Sequence, residues 1–527
     1  MNGTPVHVVM FAASLSAAGL AGIRWVRVAQ REHYLPGSVN RFARRWWSIG
    51  PNRLLGGAAL LGLVGAGAKV APAGVVAAAA VAVGPFGLTL RGRTSPLVWT
   101  RRLKALVSVS IAVAAAVIVA AVAAAPSWAV LAAAATFTAV AAPLIVDVAL
   151  SLTAPLERRL GAKFVRRAAA KLASVHPTVV AITGSYGKTS TKGYVAHLLT
   201  GTLTVVPTPK SYNNQSGLSR AINEHLLPAT DVFVAEMGTY GPGEIAEMCS
   251  WVRPDIAVIT TIGPVHLERM KSEERIARAK AEIFDHARVA VVNADDRWLV
   301  PVGQEFEARG GKLWRCSATD RRADVCVVHD EGSLRVFVAQ VDHGPRQIAV
   351  IPGLDAPATN VACAVAVALE LGVAPDAIAK RLATLPAAPH RRQVSQGQGG
   401  ATVIDDTYNA NPAGAAGALH LLARLAGGAG DGHKVVVVTP GMVELGDRQD
   451  EENARFGEQA ARVATHILVV GQTNAPALMA GWRKAPEEGR AQLIRCATRP
   501  LAVDWVSQHL GPGDVVLYEN DLPDHYP

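Results

Sequence analysis

Acidic residues are nearly missing from the start of this 527-residue chain, and their absence locates its charge. The formal net charge is +10, yet the first 104 residues hold thirteen Lys/Arg against one acid, Glu32, which leaves −2 for the other 423. Basicity confined to one end argues against a nucleic-acid groove on the remainder, so no nucleic-acid partner is expected. Cysteine is scarce as well. Cys249, Cys316, Cys326, Cys363 and Cys496 lie far apart with no Cys-x-x-Cys pair. That excludes a disulfide framework or a zinc site and fits a reducing compartment. The first apolar run has no basic stretch before it and four more apolar runs after it, so a cleaved signal peptide is not expected.

Long apolar runs are what the first 152 residues do have: Val6–Ile23, Leu54–Ala68, Ala71–Leu90, Leu106–Ala125 and Trp128–Leu152. A membrane span takes about 20 apolar residues, so the second run would sit shallow or tilt as a hairpin with the third. Five crossings from an external N-terminus put the basic clusters at 24–53 and 91–104 in the cytoplasm, Lys69 outside, and everything after Leu152 inside, as the positive-inside bias requires. The expectation is a multi-pass protein of the cytoplasmic (inner) membrane with the lipid bilayer as a partner. Asp147 reads as an intramembrane functional acid or, preferably, as an interfacial or a helix-paired carboxylate. The Arg/Trp-rich segment Arg41–Arg53 suits anionic headgroups or simply sets topology.

Length suggests three or four domains in all. From about Ala154 to Leu385, short Val/Ile-rich runs alternate with amphipathic helical stretches, the pattern of a mostly parallel α/β sheet. Strands are expected at Thr178–Ile182, Asp231–Glu236, Ile256–Thr260 and Val289–Asn293. The first breaks into Gly184-Ser185-Tyr186-Gly187-Lys188-Thr189-Ser190 and resumes as a helix over Thr191–Leu199. Strand, glycine turn, Lys-[Ser/Thr] and helix is how a backbone cradles a nucleotide triphosphate. Turn amides face the anion, the lysine adds positive charge, and a hydroxyl reaches Mg²⁺. Ile182 stands where the usual first glycine would be, so the match is not literal, and an ordinary glycine turn is the alternative. Glu236, His266 and Lys280 each have a plain reading alone: a helix-cap partner, a loop histidine, one face of a charged helix. A second α/β unit follows a Pro/Ala-rich joint at Pro386–His390, with strands near Ala401–Ile404, Lys434–Pro440, His466–Val470 and Asp514–Tyr518.

Taken in order, several motifs resemble one family, the Mur ligases. They are the turn Thr183–Ser190, Tyr212-Asn213-Asn214, Glu236-Met237-Gly238, His266-Leu267-Glu268, Ala279–Ile283, Asn293–Asp296 and Asp405–Pro412. The apolar runs give a membrane domain at 1–152, and the resemblance implies a P-loop ATP-binding central domain at 153–385 and a Rossmann-like C-terminal domain at 386–527. It implies an ATP-dependent amide ligase that joins a carboxylate to an amine (an amino acid or dipeptide) through an acyl phosphate. Gly184, Ser185, Gly187, Lys188, Thr189 and Ser190 would bind ATP. Thr189 with Glu236 would hold one Mg²⁺, and His266 with Lys280 a second, Lys280 as its carbamate. Lys188, Glu236, His266 and Lys280 would be the catalytic set. Asn360 would face adenine, and Arg391, Asp406 and Asn409 would complete the nucleotide site from the C-terminal domain.

Two departures leave the substrates open. Five apolar runs stand where the family has a UDP-binding domain. Tyr518-Glu519-Asn520-Asp521 replaces a basic Lys-Gly-Ser turn. Cell-wall peptide precursors, a poly-amino acid or a specialised peptide remain as products. A degenerate membrane scaffold and a transporter ATPase are the readings of other classes.

Overall fold

The computed structural model describes residues 5–92, 96–209, 212–265, 267–330, 332–340, 344–353, 356–386, 392–397, 399–408, 411–427, 432–522 and 525–526. It forms two compact units, one holding the chain to Leu160 and again from Leu522, the other holding Gly161–Asp521.

The first unit is helical: α1 (Pro5–Arg31), α2 (Ser38–Ser48), α3 (Asn52–Gly67), α4 (Ala71–Val83), α5 (Arg101–Ala124), α6 (Trp128–Val140) and the part of α7 (Ala142–Val175) up to Leu160. The five expected spans are corrected here. By length and composition, α1 and α5 can each cross a bilayer, and α6 with α7, bent by 74° at Ala141, would make a third crossing if the pair counts as one. Helix α3 has 16 residues and α4 has 13, about 24 and 20 Å of helix, too short for a hydrocarbon core of about 30 Å. Helix α4 stops at Val83 because Gly84 precedes Pro85, and a residue before proline is pushed out of helical geometry. The two short helices pair tightly: a Cβ on Gly62 would lie 2.5 Å from the Ala73 carbonyl oxygen.

Two charges inside this unit close helix ends. The N-cap of α2 is Gly37, which has no side chain to cap with. The Asp147 carboxylate of α7 takes that place, accepting the N–H groups of Gly37, Val39 and Asn40 at 3.0, 3.3 and 2.8 Å. Asp147 is therefore the helix-paired carboxylate, set where a helix dipole favours an anion. At the other pole, the Arg24 guanidinium donates to the Val81, Gly84 and Ala82 carbonyls at the end of α4, at 3.2, 3.0 and 2.7 Å. The end of the chain belongs to the same unit. The Trp46 indole donates to the His525 carbonyl at 2.8 Å, the His525 ring meets Glu32 at 3.1 Å, and Tyr526 packs edge-on against Phe42.

The second unit holds two sheets. The larger runs β2-β3-β1-β4-β5-β6-β7-β8-β9. Its core strands are β1 (Thr178–Thr183), β2 (Val205–Pro207), β3 (Val232–Glu236), β4 (Ile256–Ile259) and β5 (Val289–Asn293). All but the edge strand β2 are buried on both faces, as the near-continuous Val/Ile/Ala runs require. The sequence reading missed β6 (Lys312–Ser317), β7 (Val325–Asp330), β8 (Ser333–Val338) and β9 (Arg346–Pro352), of which the last three pair antiparallel. Register does the placing. Ile182 pairs with Glu236 and Thr183 with Ile259, so the turn after β1, the last residue of β3 and the first residue beyond β4 share one carboxyl edge.

The smaller sheet comprises β10 (Gln393–Gln396), β11 (Thr402–Asp406), β12 (Val435–Thr439), β13 (His466–Val470), β14 (Gln492–Cys496) and β15 (Val515–Glu519). Its order is β10-β11-β15-β12-β13-β14, parallel except for β10. The joint expected at Pro386–His390 falls, after Pro386, outside the described residues. At the carboxyl edge a buried polar network fixes the loop after β12. The Thr439 hydroxyl donates to Glu519 at 2.7 Å and accepts the Gly441 N–H at 2.9 Å, and the Asn520 carboxamide donates to the Gly441 carbonyl at 2.6 Å. Asn453 accepts from the Met442 N–H and donates to its carbonyl at 2.8 and 2.9 Å. The loop so held presents the Glu444 carbonyl to the Leu267 N–H at 3.1 Å, and beyond it Arg448 pairs with Glu273 at 3.2 Å.

Glu519 is fully buried, and one of its oxygens has no hydrogen-bond partner among the described residues. Burial, with the Asp406 charge adding to it against the Thr439 bond, pushes its carboxyl from 4.5 up to about 8. The folded state thus holds a proton that the unfolded chain releases. The stability gained is complete below the unfolded value and is lost as pH rises toward 8. Unfolding free energy relative to Glu519→Gln should therefore fall between pH 5 and 8. A difference independent of pH, measured by urea denaturation, would reject this account of Glu519.

Candidate active site

The site starts at the glycine turn. Gly184 has φ +152° and Gly187 φ +82°, and a Cβ on either would collide, with Thr260 Oγ1 at 2.0 Å and with Asn360 Oδ1 at 2.5 Å. Gly187 is the N-cap of α8 (Lys188–Leu199), so the helix starts three residues before the expected Thr191. The left-handed glycine closes the turn early and points the unpaired N–H groups of the first helical turn back at it. Thr191 N–H donates to the Gly187 carbonyl at 2.8 Å, and Ser185 N–H to Thr261 at 2.7 Å. Lys188 Nζ lies back over the turn, donating to the Gly184 and Ser185 carbonyls at 2.7 and 3.2 Å. Ser190 is buried in the first turn of α8.

Glu236 ends β3 with only 1% of its surface exposed. Its Oε2 accepts the Thr189 hydroxyl at 3.0 Å and the Lys192 ammonium at 2.9 Å, and its Oε1 accepts the Asn213 carboxamide at 3.2 Å. The structure thus joins Thr189 to Glu236 as expected and adds two side chains given no role from sequence. Lys192 had a signal, since it lies one helical turn beyond Lys188 on the same face. Asn213 was visible only as part of a motif.

Lys280 lies near the end of the helix Glu273–Ala281 and is 2% exposed. Burial first, and the Lys188 charge second, hold its ammonium well below the ordinary lysine range. Asn360 sits in the first turn of the helix Ala358–Glu370 with its carboxamide against Gly187. Asp406 ends β11 and accepts the Arg392 N–H at 3.2 Å. His266, Arg391 and Asn409 lie outside the described residues.

Among the described residues, no cluster of three or more His, Cys, Asp or Glu could hold a metal. The Thr189 hydroxyl and Glu236 carboxylate are hard oxygen donors. They fit Mg²⁺, which takes one or two protein oxygens and fills its shell with water and phosphate.

Residues 182–368 match the Mur ligase middle domain, and residues 390–518 the Mur ligase glutamate ligase domain. The UDP-N-acetylmuramoyl-tripeptide–D-alanyl-D-alanine ligases of Mycobacterium tuberculosis (strain ATCC 25618 / H37Rv) and Mycobacterium leprae (strain TN) are 32% and 33% identical to this chain. Each covers 68% of it, matching over 72% and 73% of their own lengths. The MurF ligase of Thermotoga maritima, solved in complex with ADP, is 27% identical with a TM-score of 0.57, over 68% of this chain and 80% of that one. The N-terminal region is helical and is not a UDP-binding domain. The chain belongs to the Mur ligase family, whose members are ATP-dependent ligases that form amide bonds.

Proposed function

We propose that the protein is a membrane-anchored, MurF-like amide ligase that activates a carboxylate delivered at the inner leaflet and joins it to an amine through an acyl phosphate. The observation that carries this reading is the gathering of the Gly184–Lys188 turn, the Thr189–Glu236 pair and the buried Lys280 at one sheet edge. Each part has work in phosphoryl transfer. The turn amides and Lys188 grip the triphosphate and orient its terminal phosphoryl group toward the carboxylate. Mg²⁺ at Thr189 and Glu236 would screen the phosphates from that approaching carboxylate. Transfer gives a mixed anhydride and ADP. The amine attacks its carbonyl carbon, the C–O bond to phosphate breaks, and inorganic phosphate departs with the proton the amine gives up. Asn360 beside Gly187 suits the nucleotide, with Arg391, Asp406 and Asn409 supplied from the C-terminal domain.

Lys280, buried and driven toward the neutral amine, is also chemically prepared to become a carbamate. Its nitrogen lone pair adds to CO₂ and a proton leaves, giving an anion beside Lys188 that, with His266, suits a second Mg²⁺ position. An ammonium could not serve there.

Anchoring rests on α1 and α5 and on apolar side chains turned outward, Leu61 75%, Val64 71%, Ile111 64% and Val119 66% exposed. If the α3–α4 hairpin enters and leaves on one side, crossings by α1, α5 and the α6–α7 pair put both basic clusters in the cytoplasm, as five crossings would. A helical unit in place of a UDP-binding domain favours an acyl donor tethered to the membrane, where confinement raises its effective concentration.

Lys188→Ala should abolish ATP turnover with an unchanged thermal midpoint; near-normal turnover would remove the nucleotide assignment. Under ¹³CO₂, the native protein should show a carbamate carbon signal that Lys280→Ala lacks, and its absence from active native enzyme would end the carbamate reading. In assays with D-alanyl-D-alanine, soluble UDP-muramoyl-tripeptide should be a poor acyl donor. Efficient ligation at micromolar donor would instead make the protein a cell-wall ligase with an added anchor.

A further inference from the structure

Lys192 has no part in the scheme above, yet it makes the shortest contact to the carboxylate assigned to the cation. It is buried on α8, its side chain 7% exposed, and its Nζ lies 2.9 Å from Glu236 Oε2. A buried ammonium is costly unless paired, and removing one member of such a pair strands the other charge. The same oxygen receives the Thr189 hydroxyl at 3.0 Å, and Asn213 takes the other oxygen at 3.2 Å. Protein donors thus fill the place a divalent cation would use. A Mg²⁺ ion takes oxygen at about 2.1 Å, so on Oε2 it would sit within about 5 Å of the ammonium and be repelled. A triphosphate arriving with the cation reverses that balance, because its negative charge offsets both.

We propose that Lys192 is a positioning residue: it holds the Glu236 carboxylate in place when no cation is bound and makes cation binding at Thr189 and Glu236 wait for the nucleotide. The proposal rests on Glu236 being a cation ligand, and its test separates the two claims. Mn²⁺ serves as the probe, its binding to the detergent-solubilised full chain followed by paramagnetic resonance of the free ion. Without nucleotide, Lys192→Met should bind Mn²⁺ at least about tenfold more tightly than the native chain, because the competing charge is gone and the aliphatic stem remains. With a non-hydrolysable ATP analogue the two should converge. Lys192→Arg, which keeps the charge, should keep the native dependence on nucleotide.

Unchanged or weaker Mn²⁺ binding by Lys192→Met without nucleotide overturns the proposal. So does tight nucleotide-free binding by Lys192→Arg, which remains decisive if the methionine variant does not fold. If Glu236→Gln binds Mn²⁺ like the native chain when the analogue is present, the assignment of Glu236 falls, and this proposal with it.

Discussion

Pairing Ile182 with Glu236 on one side of β1, and Thr183 with Ile259 on the other, sets the glycine turn, Glu236 and Thr260 against one another at one edge. Strand β1 lies between β3 and β4, and all three are buried on both faces. A slip of one residue would turn core side chains toward the wrong layer. The burial that fixes the sheet therefore also fixes the spacing between the glycine turn and the carboxylate. Little is left to loops: Gly184 and Gly187 approach Thr260 and Asn360 too closely to admit a side chain, so the turn is clamped from two elements.

The helical unit uses charge differently. Arg24 and Asp147 are both buried, which in an apolar bundle invites a functional reading. Both instead close helix ends, Arg24 on the carbonyls after α4 and Asp147 on the N–H groups opening α2. Short helices leave a larger share of their backbone groups unpaired, so α2 and α4, with 11 and 13 residues, have the most to gain from such caps. These two buried charges are thus explained by backbone groups that need partners before any transport path needs to be invoked.

Much of the site was legible in the sequence because its groups sit at the ends of strongly apolar strands. The runs before Gly184 and through Glu236 are continuous Val, Ala and Ile, and such runs have few alternatives to a buried parallel strand. The start of α8 was misread because Ser185, Lys188 and Thr189 carry no periodic signal, and the left-handed Gly187 decides where the helix begins. Strands β7 to β9 were missed because they form the antiparallel edge of the sheet, where β9 is half-exposed and opens on the polar pair Arg346-Gln347. The spans were overcounted because hydropathy measures composition, whereas Pro85 and the bend at Ala141 set the actual helix lengths. The pairing of Lys192 with Glu236 could not be read at all, since it joins residues 44 apart through sheet register.

Three lysines converge on this edge, and the surroundings give each a different state. Lys192 is matched by Glu236 in a buried ion pair. Lys280, deeper and beside Lys188, has no carboxylate of its own in these contacts and is driven toward the neutral amine. Lys188 rests on the Gly184 and Ser185 carbonyls, dipoles that can be exchanged for phosphate oxygens at small cost. Positive charge is thus gathered where the first-turn amides of α8 also point. Such an edge favours an anion, and a triphosphate at the turn would bring one to the amides and ammonium groups gathered there.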